Sequence, residues 1–359
     1  MIYQRQQLTT LEPEELDRYL EEGWYRWAQT IFTGHILAFP DALYPAAWIR
    51  LALPDYKFRK SLRRIMRRNG ESLVVKMGPA KITAAKNLLF LKYRASFKGD
   101  LFPTLQDALF GSPKKSSVFD TRQLEIYHND RLIAFSFFDV GGESIASIMG
   151  IYDPDYSRFG LGFYTMLLEI EWAKENGKDY FYPGYAVPGN SRFDYKLRIG
   201  DVEFFEARSQ SWLPWDQFQI EKTPLAELRK KVSDLKVTAT NAGLHWLIGH
   251  YANFEDPCER LKGNHLLQFP LYLSADDHAE NENPIIIEYD LISTQYRLSR
   301  YQTVKALPFP NHTKQLAIYS YPISYDLADF VFLGSLVRKE ILFEHPEALP
   351  VIEHLKNLG

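Results

Sequence analysis

Cysteine is nearly absent from this 359-residue chain; the one present is Cys258. A single thiol makes no internal disulfide and no cysteine-based metal cluster. Nine histidines occur, but none at a metal-binding spacing; His245 and His250 share no helical face and read as structural. No metal site is therefore expected. Long apolar runs are missing too: none approaches the roughly 18 residues that span a bilayer. The opening "MIYQRQQLTTLEPEELDRYL" has no basic head before an apolar stretch, so no signal peptide is expected. With the lone thiol, this points to a reducing cytoplasm and no membrane partner. Internal repeats and low-complexity segments are absent as well.

Neither sign of charge dominates the whole, which is formally −3. Its distribution is uneven, however. Residues 1–208 sum to +2 and the remainder to −5. Within the first part, "KFRKSLRRIMRRN" (57–69) places seven Lys or Arg in twelve positions with no acid. On a helical wheel Phe58, Leu62, Ile65 and Met66 fall within about 100°, with Asp55 placed as N-cap. Lys57, Arg59, Lys60, Arg63, Arg64, Arg67 and Arg68 fill the other side. Such a face repels itself at i,i+4 unless it is solvated, paired with acids, or met by a polyanion.

The rest of the pattern is α+β. "EPEELDRYLEEGW" reads as a helix stopped by Gly23, and "YRWAQTIFTGHILAFPDALYPAAWIRLAL" as short strands and loops. "SLVVKM" (72–77) reads as a strand. Helices capped by Thr83 and over 104–111 follow, the first closed by Gly99. "RQLEIYH", "RLIAFSFFDV" and "SIASIMGIYD" alternate with period two and form an antiparallel meander joined at 129–130 and 141–143. A loop with Gly160 and Gly162 opens a helix ending at Gly177, and "DYFYPGYAV" returns as a strand. This order is the layout of a GNAT acyltransferase: a mixed, largely antiparallel sheet flanked by helices. Residues 1–70 are expected as a small N-terminal domain, 71–215 as the transferase domain, and 216–359 as an appended α+β region. In that last part "TPLAELRKKVSDLKV" reads as a helix, "ADDHAENENP" as an acidic loop, and "IIIEYDLIS", "QLAIYSYPI" and "DFVFLGSLV" as strands or buried segments.

Four stretches over residues 8–210 resemble the arginyl-tRNA–protein transferases and their bacterial leucyl-transferring relatives. "ELDRYLEEGWYR" is similar to that family's helix leading into Gly-Trp-x-Arg, and "RKSLRRIMRRN" to its element ending Arg-Arg-Asn. "IYDPDYSRFGLGFYTMLLEIEWAKENGKDYFYPGY" resembles its Tyr-Asp-Pro block with Ser-Leu-Gly and Tyr-x-Tyr-x-Gly-Tyr, and "SRFDYKLRIG" its Lys-Met-Arg-Tyr-Lys element. Two departures stand out. The family's Cys-Pro-x-Cys cluster is replaced by "TGHILAFPDALYPAAW", and Lys-Met by Arg192-Phe193.

The resemblance implies transfer of Arg or Leu from aminoacyl-tRNA to the α-amine of proteins with acidic N-termini, with no further cofactor. It implies roles for particular residues. Arg59, Lys60, Arg63, Arg64, Arg67 and Arg68 would follow tRNA phosphates. Ser157, Gly160, Gly162, Tyr182 and Tyr185 would form the pocket for the aminoacyl end, at a helix start where unpaired amides attract anions. Asp153, Tyr152 and Asp139 are the catalytic candidates; Asp153 also suits a cationic aminoacyl side chain. Arg192, Lys196 and Arg198 would grip the acidic acceptor. Two other readings remain open: an acetyl-CoA-dependent GNAT enzyme, and a non-catalytic tRNA- or degron-binding homologue.

Overall fold

Asn129 and Asp130 both have positive φ, 48° and 61°, the signature of a type I′ hairpin turn. That turn joins two antiparallel strands of the larger sheet. The computed structural model describes residues 3–39, 42–97, 101–111, 117–254, 266–278, 280–304 and 327–358. Through residue 218 the strands are β1 (Tyr3–Gln7), β2 (Tyr25–Trp27), β3 (Thr30–Gly34), β4 (Ile36–Ala38), β5 (Leu43–Pro45), β6 (Ala47–Ala52) and β7 (Val74–Pro79). β8 (Thr121–His128), β9 (Arg131–Val140), β10 (Ser144–Tyr152), β11 (Tyr180–Ala186), β12 (Glu203–Glu206) and β13 (Ser211–Pro214) follow. The helices are α1 (Pro13–Glu21), α2 (Lys60–Gly70), α3 (Ala84–Ser96), α4 (Leu105–Phe110) and α5 (Leu161–Glu175).

The chain divides into two units. One holds residues 5–33 and 47–218; the other holds the remaining described residues. The first unit is built on an eight-stranded sheet in the order β13-β12-β6-β11-β10-β9-β8-β7. Only β10 and β11 in it are parallel, joined by α5. β9 is covered on both faces. Phe135 and Phe137 pack with Leu89, Phe90 and Leu109 from α3 and α4. Ala134 and Phe138, on the alternate face, pack under α5. The sequence places a domain break near residue 70. The structure carries β6 and α2 into the same unit as the later strands, because β6 pairs with both β11 and β12.

Helix starts follow their caps: Thr83 Oγ1 accepts from Lys86 N, Thr104 Oγ1 from Asp107 N, and Gly23 takes φ 75° after α1. α2 differs from expectation. It begins at Lys60 with Arg59 as N-cap, not at Asp55. Tertiary contacts draw residues 55–58 out of the helix: the Tyr56 hydroxyl donates to the Ile199 carbonyl, Lys174 donates to the Tyr56 carbonyl, and the Tyr56 and Phe58 rings meet at 5.1 Å.

The second unit adds α6 (Pro224–Asn241), β14 (Leu247–Tyr251), β15 (Leu271–Ser274), β16 (Ile285–Asp290), β17 (Gln295–Val304), β18 (Phe330–Phe332), β19 (Ser335–His345) and α7 (Ala348–Lys356). Its sheet runs β18-β14-β15-β16-β17-β19. Leu228, Val232 and Leu235 of α6 and Val351 and Ile352 of α7 pack into its core. Glu288 is buried there between Arg297 and Arg338. His250 is buried on β14, and burial pushes its pKa down to about 4. The expected segment "QLAIYSYPI", Cys258 and Gly99 lie outside the described residues. Among the described residues no helix is long and apolar enough to cross a membrane, and no group of three or more His, Cys, Asp or Glu is placed to hold a metal ion.

Candidate active site

β10 and β11 are neighbours for only three residues: Ser144 faces Tyr180, Ile145 faces Phe181 and Ala146 faces Tyr182. Beyond these they part. β10 is irregular against β9 between Ser147 and Met149, and β11 shifts register against β6 between Phe181 and Gly184. Tyr25, from β2, fills the fork. Its hydroxyl lies against the Ser147 carbonyl and 3.1 Å from the Tyr182 carbonyl, so it can donate to either of the two parted strands. Gly184 has φ 90°, and a Cβ there would stand 3.3 Å from Lys196 Nζ, so the bend requires glycine.

A cleft of about 460 Å³ opens where the strands separate. Ser147, Ile148, Met149, Gly150 and Tyr152 of β10 form one wall, and Leu161, Gly162, Phe163, Thr165 and Met166 of α5 another. Tyr93 and Phe97 of α3 close one side; Pro183, Arg192, Phe193, Tyr195 and Lys196 close the other. The start of α5 lies at its edge. Gly160 is the N-cap in the left-handed region (φ 61°) and carries no side-chain cap. The first amides of α5 therefore have no side chain bonded to them and sit at the positive end of the helix dipole.

Of the residues singled out from the sequence, Tyr152, Ser157, Gly160, Gly162, Arg192 and Lys196 line this cleft. Five others do not. Asp139 is fully buried away from it, accepting from Arg26 Nη1 at 2.7 Å and Thr121 Oγ1 at 2.6 Å. Asp153 caps the turn after β10 and pairs with Lys92 at 2.5 Å and Arg131 at 2.6 Å. Burial alone would raise its pKa, but the Lys92 hydrogen bond, the Asp155 amide and the Arg131 charge together hold it below the ordinary value. It is thus an ionised, engaged carboxylate. Tyr182 is buried near Arg50 and meets Trp212 at 5.6 Å. Arg198 lies over the Phe163 ring from outside, at 4.9 Å. Tyr185 supports the cleft from behind, its carbonyl accepting from Lys196 Nζ at 3.0 Å and its ring 5.2 Å from that ammonium.

Burial pushes the Lys196 ammonium down to about 8, with no countering carboxylate among the described residues. Tyr195 is raised to about 12, by burial first and then by Glu169 and Tyr152. Glu169 was not signalled by any motif. It stands on the face of α5 that carries Thr165 and Met166, one turn deeper, and is 1% exposed. Burial pushes its carboxyl up to about 7, against the opposing influence of the Ser136 and Ser147 hydroxyls. Among the described residues neither of its oxygens has a hydrogen bond of ordinary geometry. The signal in the sequence is an acid set into the apolar run "FYTMLLEIEWA".

The basic helix packs against α5. Leu62 is buried, Ile65 and Met66 pack beside Leu161 and Leu168, and Asn69 Nδ2 donates to the Phe159 carbonyl at 2.9 Å. Phe159 immediately precedes the α5 N-cap, so α2 is tied to the turn that shapes the cleft. Arg59 pairs with Asp201. Lys60, Arg63, Arg64, Arg67 and Arg68 are exposed, with no ion pair among the described residues.

Residues 85–206 match the family model described as "Arginine-tRNA-protein transferase, C terminus". This span contains every residue lining the cleft. An aspartate/glutamate leucyltransferase of Leptospira interrogans is 23% identical over 218 residues, covering 58% of this chain and 83% of the relative. The enzyme of that name from Granulibacter bethesdensis is 25% identical over 222 residues, covering 60% and 79%. Among solved structures, L-PGS from Bacillus licheniformis aligns with a TM-score of 0.32 at 13% identity, over 50% of this chain and 52% of that one. Over residues 85–206 the chain is thus similar to the arginyl-tRNA–protein transferases, and over about three fifths of its length to bacterial aspartate/glutamate leucyltransferases.

Proposed function

We propose that the protein transfers an uncharged, leucyl-type aminoacyl group from tRNA to the N-terminal α-amine of proteins beginning with Asp or Glu. The observation carrying this choice is the composition of the cleft. Its described lining is aromatic and aliphatic, holds no Asp or Glu, and includes two cations, Arg192 and Lys196. A donated arginyl side chain would bury a guanidinium beside like charges with no carboxylate in the cleft lining to pair with it, which costs several kcal/mol. Asp153, the acid that the sequence offers for a cationic side chain, is already neutralised by Lys92 and Arg131. An acidic acceptor side chain, by contrast, meets the two cations it needs.

The chemistry asks little of the protein and no cofactor. The donor is an activated ester, and an α-amine with a pKa near 8 is partly free at neutral pH. Holding amine and ester together supplies several kcal/mol. The first amides of α5 stabilise the developing oxyanion, and Ser157, Gly160 and Gly162 leave room for the ester end. Tyr152 and Tyr93 offer faces on which the terminal base stacks. The exposed cations of α2 track the acceptor-stem phosphates, and Asn69 fixes the distance from that helix to the cleft. GNAT-like topology, with α5 crossing between two parting parallel strands, suits this arrangement.

Leucyl-tRNA and arginyl-tRNA, each with peptides starting Asp, Glu or Ala, test the reading. Leucyl transfer to acidic peptides is expected to exceed arginyl transfer at least 100-fold in kcat/KM. Equal or greater arginyl transfer overturns the donor assignment, and label from acetyl-CoA overturns the class of donor. Substituting Ser for Arg63, Arg64 and Arg67 together is expected to flatten the dependence of log affinity on log salt for tRNA by about 2 to 3. An unchanged slope in the folded variant removes α2 from the tRNA interface.

A further inference from the structure

We propose that the Glu169 carboxyl, behind Ser147 and one helical turn below Thr165 at the floor of the cleft, takes up through the Ser147 hydroxyl the proton that the acceptor amine must lose. This rests on the transfer reading above. The geometry supports it from three elements. Thr165 and Met166 of α5 line the cleft, and Glu169 follows them on the same face of the helix. Ser147 of β10 lines the cleft and is one of the two hydroxyls acting on Glu169. Tyr195, from the turn over Ser191–Arg198, lines the cleft and feels the Glu169 charge.

A buried carboxyl that no cation neutralises and whose hydroxyl neighbours sit outside ordinary hydrogen-bond geometry is costly and calls for an explanation. The groups facing it are the Ser136 hydroxyl from β9, the Ser147 hydroxyl from β10, Tyr25 from β2 and Tyr195. No cation among the described residues neutralises it. Its proton affinity is consequently matched to neutral pH, where a proton acceptor works best.

The step balances as follows. The acceptor arrives as an ammonium. One proton passes to the Ser147 hydroxyl as that hydroxyl gives its own to the Glu169 carboxylate. The free nitrogen lone pair then forms a bond to the ester carbonyl carbon. The carbon–oxygen bond to ribose breaks, and the ribose oxygen leaves with a second proton from nitrogen. After the products depart, the Glu169 proton returns to solvent. Glu169 acts at one remove from the amine and is in that sense a positioning residue.

Single-turnover leucyl transfer from leucyl-tRNA to an Asp-initiated peptide, followed from pH 5.5 to 9.5, tests this. Glu169→Gln is expected to lower the rate at least 10-fold at pH 7 with KM for both substrates within 2-fold. The deficit should shrink to about 3-fold or less above pH 9, where the amine arrives unprotonated. Ser147→Ala, which removes one hydroxyl and guards against a misfolded Gln variant, should show the same convergence. A deficit equal at every pH, a change in KM alone, or a wild-type profile in both variants overturns the proposal. If the wild-type protein transfers nothing from any aminoacyl-tRNA, the transfer reading fails and this one fails with it. Wild-type transfer with an unaltered Glu169→Gln profile removes only this one.

Discussion

Replacing Arg26 by Met is expected to lower the unfolding free energy of the first unit by roughly 3–5 kcal/mol. Arg26 is 6% exposed and serves several segments at once. It donates to Asp139 at 2.7 Å, Thr121 at 2.8 Å and the carbonyls of Ala28 and Leu109, and it covers the Phe119 ring at 4.3 Å. Burial moves both partners toward neutrality: the guanidinium is lowered and the Asp139 carboxyl raised, even after their mutual attraction. Ion pairing here only offsets a desolvation cost. Removing one member leaves the other charged and alone in the core, and that is the origin of the large effect. Asp139→Leu should cost a comparable amount, and the double variant clearly less than the two added. Chemical denaturation of the four proteins measures this. Additive losses would mean that Asp139 and Arg26 are not coupled.

Lys196→Met is expected to lower kcat/KM for Asp- and Glu-initiated peptides about 100- to 1,000-fold, equivalent to roughly 3–4 kcal/mol, while an Ala-initiated peptide changes far less. The ammonium spends one hydrogen bond on the Tyr185 carbonyl and is held between aromatic faces, leaving donors for a ligand. Its depressed pKa of about 8 adds a pH signature. Below 8 the free enzyme carries the charge; above 8 the charge is lost, and attraction for a carboxylate with it. For an acidic peptide, kcat/KM should therefore fall as pH rises past 8. Dividing by the value for an Ala peptide cancels the titration of the amine itself. That ratio should drop about 10-fold per pH unit above 8. A flat ratio would place acceptor recognition elsewhere, with Arg192 the next cation to test.

Much of the local structure was legible because its causes lie within a few residues. Thr83 and Thr104 cap helices from the positions their side chains suggest, and the Asn129-Asp130 turn follows from two residues that tolerate positive φ. The apolar stripe of Leu62, Ile65 and Met66 docks α2 as its period requires. Gly160 was legible for a similarly local reason: the short turn over Pro154–Phe159 ends on a left-handed residue, φ 61°, a conformation that favours glycine. Asp55 failed as a cap because Tyr56 and Phe58 find partners more than 100 residues away.

The carboxylates show where local reading stops. Asp139 and Asp153 look like site acids in the sequence because each ends a strand beside a turn. Their actual partners, Arg26, Lys92 and Arg131, come from other elements. Glu169 looks like an ordinary helical acid until β9 and β10 close over it.

By itself the sequence determined the strands and helices from β7 to β11, their order and a helix with one positive face, since periodicity and capping act between near neighbours. Only the tertiary structure decided where β10 and β11 separate, which acids are neutralised and which is left buried without a partner. Burial and ion pairing depend on residues far apart in the chain, and the free energy of a charge is set by what surrounds it once the chain has folded.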